Sequence, residues 1–349
     1  MTKDPDELAK LKAENARLVE LLESHGIEWR LKTLLPVPQA TPEPSRLSTE
    51  EKVALFCKLF RGRADVYPVR WESKTSGKSG YSPACANEWR AGICEKPRIK
   101  CSDCGHRSLI PRTDAVVYQH LAGDHTIGIY PLLDDDTCYF LAVDFDEAEW
   151  RDDARAFMQS CNELGVPAAL EISRSGQGAH VWIFFAHRVA ARDARRLGTA
   201  IISHTCSRTR QLKLTSYDRL FPNQDTMPKG GFGNLIALPL QKWPREKGFS
   251  VFVDAELIPY VDQWAFLVSL QTMPIQDIEP TILRASGGAN PLDVTFIEEE
   301  DLATPWKRKE ASSNHLAGTM PESLTLTLAN QIYFAKDQLP QALANRLIR

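Results

Sequence analysis

The sequence predicts an α+β domain with a mostly antiparallel sheet, and three observations carry that expectation. Tyr139-Phe140-Leu141-Ala142-Val143-Asp144-Phe145-Asp146 is an apolar strand run that ends in Asp-x-Asp. Ala168–Ile172 and Ala179–Phe185 are two further strand runs, joined like a hairpin through the glycine-bearing segment Ser173–Gly178. Helical periodicity fills residues 148–164, through Trp150, Ala154, Phe157, Met158 and Cys161, and closes at Gly165 and Pro167. Helices that follow strands, with strands paired through a short turn, point to a sheet flanked by helices rather than a doubly wound fold.

The elements follow in order. Residues 3–26 are charged and leucine-rich, and Leu8, Leu11, Asn15, Leu18 and Leu22 recur with 3-4 spacing. That is a heptad seam, with Asn15 at a position that favours a parallel coiled-coil dimer, or an amphipathic helix lying on the body of the protein. Pro36, Pro38, Pro42 and Pro44 mark a linker. Ser48-Thr49-Glu50-Glu51 is a helix start leading into Val53–Phe60. Residues 71–84 are turn-like, 116–120 form a short helix or strand, and Asp134-Asp135-Asp136 is a solvated turn. Residues 190–206 are helical and 215–233 are loop. Asn234–Leu240 and Ser250–Val253 are strands, and Asp254 caps a helix running past Trp264.

At 349 residues the chain can bury a large core and hold more than one domain. No apolar run approaches the ~20 residues of a membrane span, and no signal-peptide apolar region opens the chain, so a cytoplasmic protein without membrane association is expected. A net charge of −3 argues against a uniformly basic nucleic-acid coat, though not against local basic surfaces.

Strand side chains alternate, so Asp144 and Asp146 share one face. Two carboxylates held together repel unless a divalent cation lies between them, and their oxygens suit Mg²⁺ or Mn²⁺. A two-metal site needs a third carboxylate. Asp225 is the first candidate and Asp218 the second. In Ser173-Arg174-Ser175-Gly176-Gln177-Gly178-Ala179-His180, Gly176 and Gly178 let backbone approach an anion. Arg174, Ser175 and His180 add donors to a phosphate. Lys229 and Lys242 flank the Asn234 strand and could reach the same phosphate, or lie in solvent.

Four of the eight cysteines, Cys85, Cys94, Cys101 and Cys104, fall in one segment, and Cys101-Ser102-Asp103-Cys104-Gly105 is a knuckle. Four thiolates suit a structural Zn²⁺. Arg90, Lys96, Arg98, Lys100, Arg107 and Arg112 make this segment locally basic, as nucleic-acid backbone contact requires. Arg192, Arg195 and Arg196 are expected on a solvated helix face. Trp89 could stack on a base, and Trp182 is expected in the core.

Taken in order, these motifs resemble the archaeo-eukaryotic primase superfamily: the acidic pair Asp144/Asp146, the Ser175–His180 element, and Asp225 ahead of the Asn234–Gln241 strand. The likeness is greatest to primase-polymerases of the TOTE conflict-system and CRISPR-associated type, through Leu59–Tyr67, the four cysteines and Phe221–Asp225. The resemblance implies an RRM-like sheet, a zinc-binding insertion, and template-directed nucleotidyl transfer from NTPs or dNTPs on single-stranded DNA. It also implies a helicase domain or subunit as a possible partner. The expected organisation is an N-terminal helix over 1–30, a linker over 31–48, a catalytic domain over 49–275 with its zinc module at about 81–112, and a connector over 276–349. The competing readings are a non-catalytic zinc-dependent nucleic-acid-binding module and a metal-dependent phosphohydrolase.

Overall fold

The computed structural model describes residues 45–73, 77–146, 148–208 and 216–287, with scattered positions between 14 and 25. The chain divides into two compact units, Met1–Thr41 and Pro42–Arg349. In the first, Glu14 and Arg17 form an ion pair at 2.7 Å and Leu18 is exposed. Leu8, Leu11, Asn15 and Leu22 of the expected heptad lie outside the described residues, as do most of the expected linker and all of 288–349.

The second unit opens with α1, Thr49–Leu59. Its start is a reciprocal cap: Ser48 Oγ accepts from the Glu51 amide, and the Glu51 carboxylate accepts from the Ser48 amide. Strands β1 (Pro68–Glu72) and β2 (Ser79–Pro83) pair antiparallel, where the composition suggested turns only. Gly80 makes the pairing possible beside Trp71, since a Cβ there would lie 2.9 Å from the indole. Helix α2, Asp114–Ala122, is capped by Thr113. A two-residue β3, Gly128–Ile129, pairs with β8, Ile236–Ala237. The expected strand Asn234–Leu240 is therefore mostly irregular.

The main sheet contains β4 (Thr137–Asp146), β5 (Ala169–Ile172), β6 (Gly178–Ala190), β7 (Tyr217–Phe221) and β9 (Val251–Val253), in the order β7-β4-β6-β5-β9. Every neighbouring pair is antiparallel. With α3 (Trp150–Leu164) and α4 (Ala191–Arg208) following strands as expected, this is the predicted α+β class. Strand β7 lies inside the segment expected to be loop. Its charged Asp218-Arg219 pair hides the alternation of a five-residue edge strand. Asp254 caps only a turn, through the amides of Glu256 and Ile258. The helix past Trp264 is Gln263–Ser269, capped by Asp262.

Period-two alternation sorts the sheet into two faces. Val143, Phe145, Val181 and Ile183 face the helices α3 and α4: Phe145 meets Phe157 at 5.7 Å between ring centroids, and a Cβ on Gly198 of α4 would strike Leu141 and Leu220. The opposite face carries Phe140, Trp182, Phe184 and Phe252. Fully buried Phe60, at the end of α1, meets Trp182 and Phe184 edge-on at 5.0 and 5.3 Å. One end of that face is thus sealed by aromatics, and the other end is polar.

Candidate functional site

The polar end is built from the register of three strands. Asp144 of β4 is paired with His180 of β6, and His180 with Glu171 of β5, so all three lie on one rung and one face. His180 Nε2 is 3.5 Å from Asp144 Oδ1. Its Nδ1 is 3.0 Å from Glu171 Oε2, and the same oxygen accepts from Trp182 Nε1 at 2.8 Å. Asp146, two residues on from Asp144, is exposed at the strand end.

The charges act on one another strongly. Burial, with Asp146 and Asp218 nearby, pushes the Asp144 carboxyl up to about 6 against the opposing pull of His180 and Arg219. Burial alone would lower His180, but Glu171, Asp144 and Asp146 together push it up to about 9. An imidazole between two carboxylates is therefore held as the cation.

Asp218 reaches this site because β7 runs beside β4 and the ladder is irregular between Val143 and Phe145. Its carboxylate accepts from Arg219 Nε at 2.6 Å. The position of β7 is set by a residue the sequence reading did not single out. Buried Asp153 of α3 accepts from the amide and hydroxyl of Ser216, at 3.1 and 2.7 Å. Ser216 O in turn accepts from the Asp146 amide at 2.7 Å. Asp225 is engaged elsewhere, in an ion pair with buried Arg195 of α4. Arg195 and Arg196 are thus not a solvated face, since Arg196 pairs with Glu279 at 3.0 Å.

The Ser173–Gly178 turn is closed largely on itself. The Gly176 amide donates to Ser173 O at 3.0 Å, and the Gln177 amide to Ser175 Oγ at 3.1 Å. Those two N–H groups are spent within the turn. The two glycines serve different needs. Gly176 has φ +73°, a left-handed backbone, and packs under the Phe249 ring. Gly178 leaves space for the Asp146 carboxylate. Arg174 interacts with the hydroxyl of half-buried Tyr81 on β2, opposite Arg70. Lys229 is exposed on the β7–β8 loop. Lys242 opens the short α5 (Lys242–Arg245) with its Nζ 4.9 Å from the Trp243 ring centre.

Cys85, Cys94, Cys101 and Cys104 line one pocket together with Lys96 and His106. Burial pushes the Cys101 thiol up, opposed by Lys96 beside it. Among the described residues no group of three or more His, Cys, Asp or Glu stands at metal-holding spacing. The module docks on the β7–β8 loop: Arg107 Nη1 donates to Gly230 O at 3.0 Å and lies 5.4 Å from the Phe232 ring centre. Trp89 is exposed at 68 % and Trp182 is fully buried.

No curated protein matches the sequence. Among solved structures, the chain is similar to the polymerase domain of ligase D from Mycobacterium tuberculosis, solved in complex with DNA. That likeness has a TM-score of 0.30 and 12 % identity, and covers 68 % of this chain and 88 % of that one. The family described as "TOTE conflict system, Archaeo-Eukaryotic Primase domain" matches residues 51–281, which span the sheet, its helices, the cysteine module and every residue of the polar rung. Asp144, His180 and their neighbours therefore sit in the archaeo-eukaryotic primase domain of the TOTE conflict-system family, to which this chain belongs, and at family level it is a nucleotidyltransferase.

Proposed function

We propose that this chain is a DNA primase-polymerase, joining NTPs or dNTPs on a single-stranded DNA template. The observation that carries the reading is the single rung Asp144–His180–Glu171, with Asp146 and Asp218 at its edge and the Ser173–Gly178 turn above it. The support is chemical: Asp144, Asp146 and Asp218 crowd negative charge in one place, and carboxylate oxygens are the donors hard divalent cations take, although these three do not themselves stand at metal-holding spacing. We assign Asp218, not Asp225, as the third carboxylate, since Asp218 is close enough to act on the Asp144 carboxyl whereas Asp225 pairs with Arg195 of α4. When bound, Mg²⁺ or Mn²⁺ would lower the pKa of the attacking hydroxyl and offset charge on the leaving pyrophosphate.

The chain's own residues do the rest. His180 presents Nε2–H to a triphosphate oxygen beside Asp144. Arg174 and Ser175 add donors from the turn, and backbone N–H groups contribute less than the glycine pattern suggests. The aromatic seal formed by Phe60, Trp182 and Phe184 keeps the rung rigid from below. For the cysteine module, structural Zn²⁺ is proposed on the ligand type and the shared pocket. Its docking on the β7–β8 loop would place a basic surface beside the template. The organisation proposed is a catalytic domain over 49–275 followed by a connector.

The test is primer synthesis on circular single-stranded DNA, with each nucleotide pool and each metal supplied separately. Products that need template and release pyrophosphate are expected. DNA binding without incorporation would instead indicate a binding module, and pyrophosphate release without template a phosphohydrolase.

A further inference from the structure

A carboxylate buried in the middle of a sheet demands compensation, and Glu171 is 1 % exposed. It finds that compensation at one oxygen, where Oε2 accepts from His180 Nδ1 at 3.0 Å and from Trp182 Nε1 at 2.8 Å. An imidazole has two edges that can face a ligand. Glu171 takes the Nδ1 edge and so commits Nε2 to the Asp144 side.

The oxygen is itself held in place. Trp182 is fully buried, with its ring centre 5.0 Å from Phe60 and 5.2 Å from Phe140. Its Nε1–H cannot follow a wandering carboxylate. Constraint therefore runs from the aromatic core to Trp182, to Glu171, to His180, and ends at the one nitrogen that faces the site.

We propose that Glu171 is a positioning residue for nucleotidyl transfer, acting through His180 to fix the imidazole edge that meets the incoming nucleotide. The inference rests on the function proposed above. A purely structural role makes a different prediction, because a leucine could fill the same volume.

The experiment compares Glu171→Gln, Glu171→Leu and Trp182→Phe in the full chain. Glu171→Gln keeps an oxygen acceptor, and KM for nucleotide should stay within about threefold of the parent. Glu171→Leu removes the acceptor and should raise KM by about tenfold or more, a typical cost of losing such an outer partner, with a smaller change in kcat. Trp182→Phe keeps the bulk, frees the carboxylate and should give an intermediate rise, which keeps the test alive if Glu171→Leu does not fold. In a His180→Ala background, Glu171→Leu should add nothing further. The second readout is nitrogen-15 NMR: a slowly exchanging His180 Nδ1–H should be present in the parent and Glu171→Gln, and absent in Glu171→Leu. An active parent whose KM is unmoved by Glu171→Leu and Trp182→Phe overturns the inference. So does an undiminished Glu171→Leu effect without His180. A parent that incorporates no nucleotide overturns the function instead, and the NMR comparison still decides whether the Glu171–His180 bond orients the ring.

Discussion

Replacing Gly178 by alanine tests whether the fold and the site share one constraint. Gly178 does not adopt the left-handed backbone of Gly176, so a methyl group there meets no backbone strain. Its difficulty is space. The added Cβ would lie 2.6 Å from the Phe145 carbonyl oxygen and closer still to Asp146 Oδ1. Ordinary contact begins near 3.4 Å, so β4 and β6 must separate by several tenths of an ångström, or the Asp146 carboxylate must rotate away. The carbonyl belongs to a central strand and cannot yield alone. Overpacking of this kind costs about 1–3 kcal/mol, or roughly 2–10 °C in Tm for a domain of this size. The larger consequence is chemical, because Asp146 is displaced from the cations it would share with Asp144. Nucleotide incorporation should fall by about 100-fold or more, well beyond the stability loss, since small misplacements at a reacting centre cost about that much. Urea denaturation and single-nucleotide extension on a primed template measure the two effects. Gly165→Ala is the control: its φ is +70° with nothing within 4 Å, so it should cost about 1–2 kcal/mol from strain and leave activity alone. Normal incorporation by Gly178→Ala would refute the reasoning.

Asp218→Asn should abolish incorporation while Asp225→Asn keeps it within a few-fold; the reverse result would return the third carboxylate to Asp225. Arg195→Ala should destabilise by about 1.5–2 kcal/mol, the loss of a charge-assisted bond to a partly exposed Asp225 carboxylate, and its chemical denaturation midpoint reads that loss. Because burial raises the Asp144 carboxyl to about 6 in the fold, its ionised form is disfavoured there, and its contribution to metal-free stability declines as pH rises from about 4 through 6. A cation competes with that proton, so Mn²⁺ at ~100 Kd should raise Tm by about 5–10 °C at pH 7.5. The shift should fall by about half at pH 5, because protonation there weakens binding about tenfold; an equal shift at both pH values, or one surviving in Asp144→Asn, counts against this site. Phe60→Ala removes the fully buried ring over Trp182 and Phe184 and should cost about 3–5 kcal/mol, seen as a lower thermal midpoint. Metal analysis of the purified chain should find about one zinc per chain, lost in Cys101→Ser.

Much of this was legible from residue pattern alone. The strand ending in Asp144 and Asp146, the hairpin through Ser173–Gly178 and the helices after them follow from period and turn chemistry, which are local properties. The capping box at Ser48 and Glu51 is local too. What the pattern could not supply is register between distant segments. Strand β7 carries no clear alternation, and it is recruited by pairing with β4 and by Asp153 holding Ser216. That pairing, and not spacing along the chain, brings Asp218 to the site and leaves Asp225 to Arg195. Glu171 reads as an ordinary strand residue until β5 aligns it with His180. The glycines were visible as a turn, but only tertiary packing separates Gly176, needed for its backbone, from Gly178, needed for the room it leaves Asp146. Sequence thus determined which chemical groups are present and their order along each strand. The tertiary structure decided which of them meet, because cross-strand register and burial depend on partners far away in the chain.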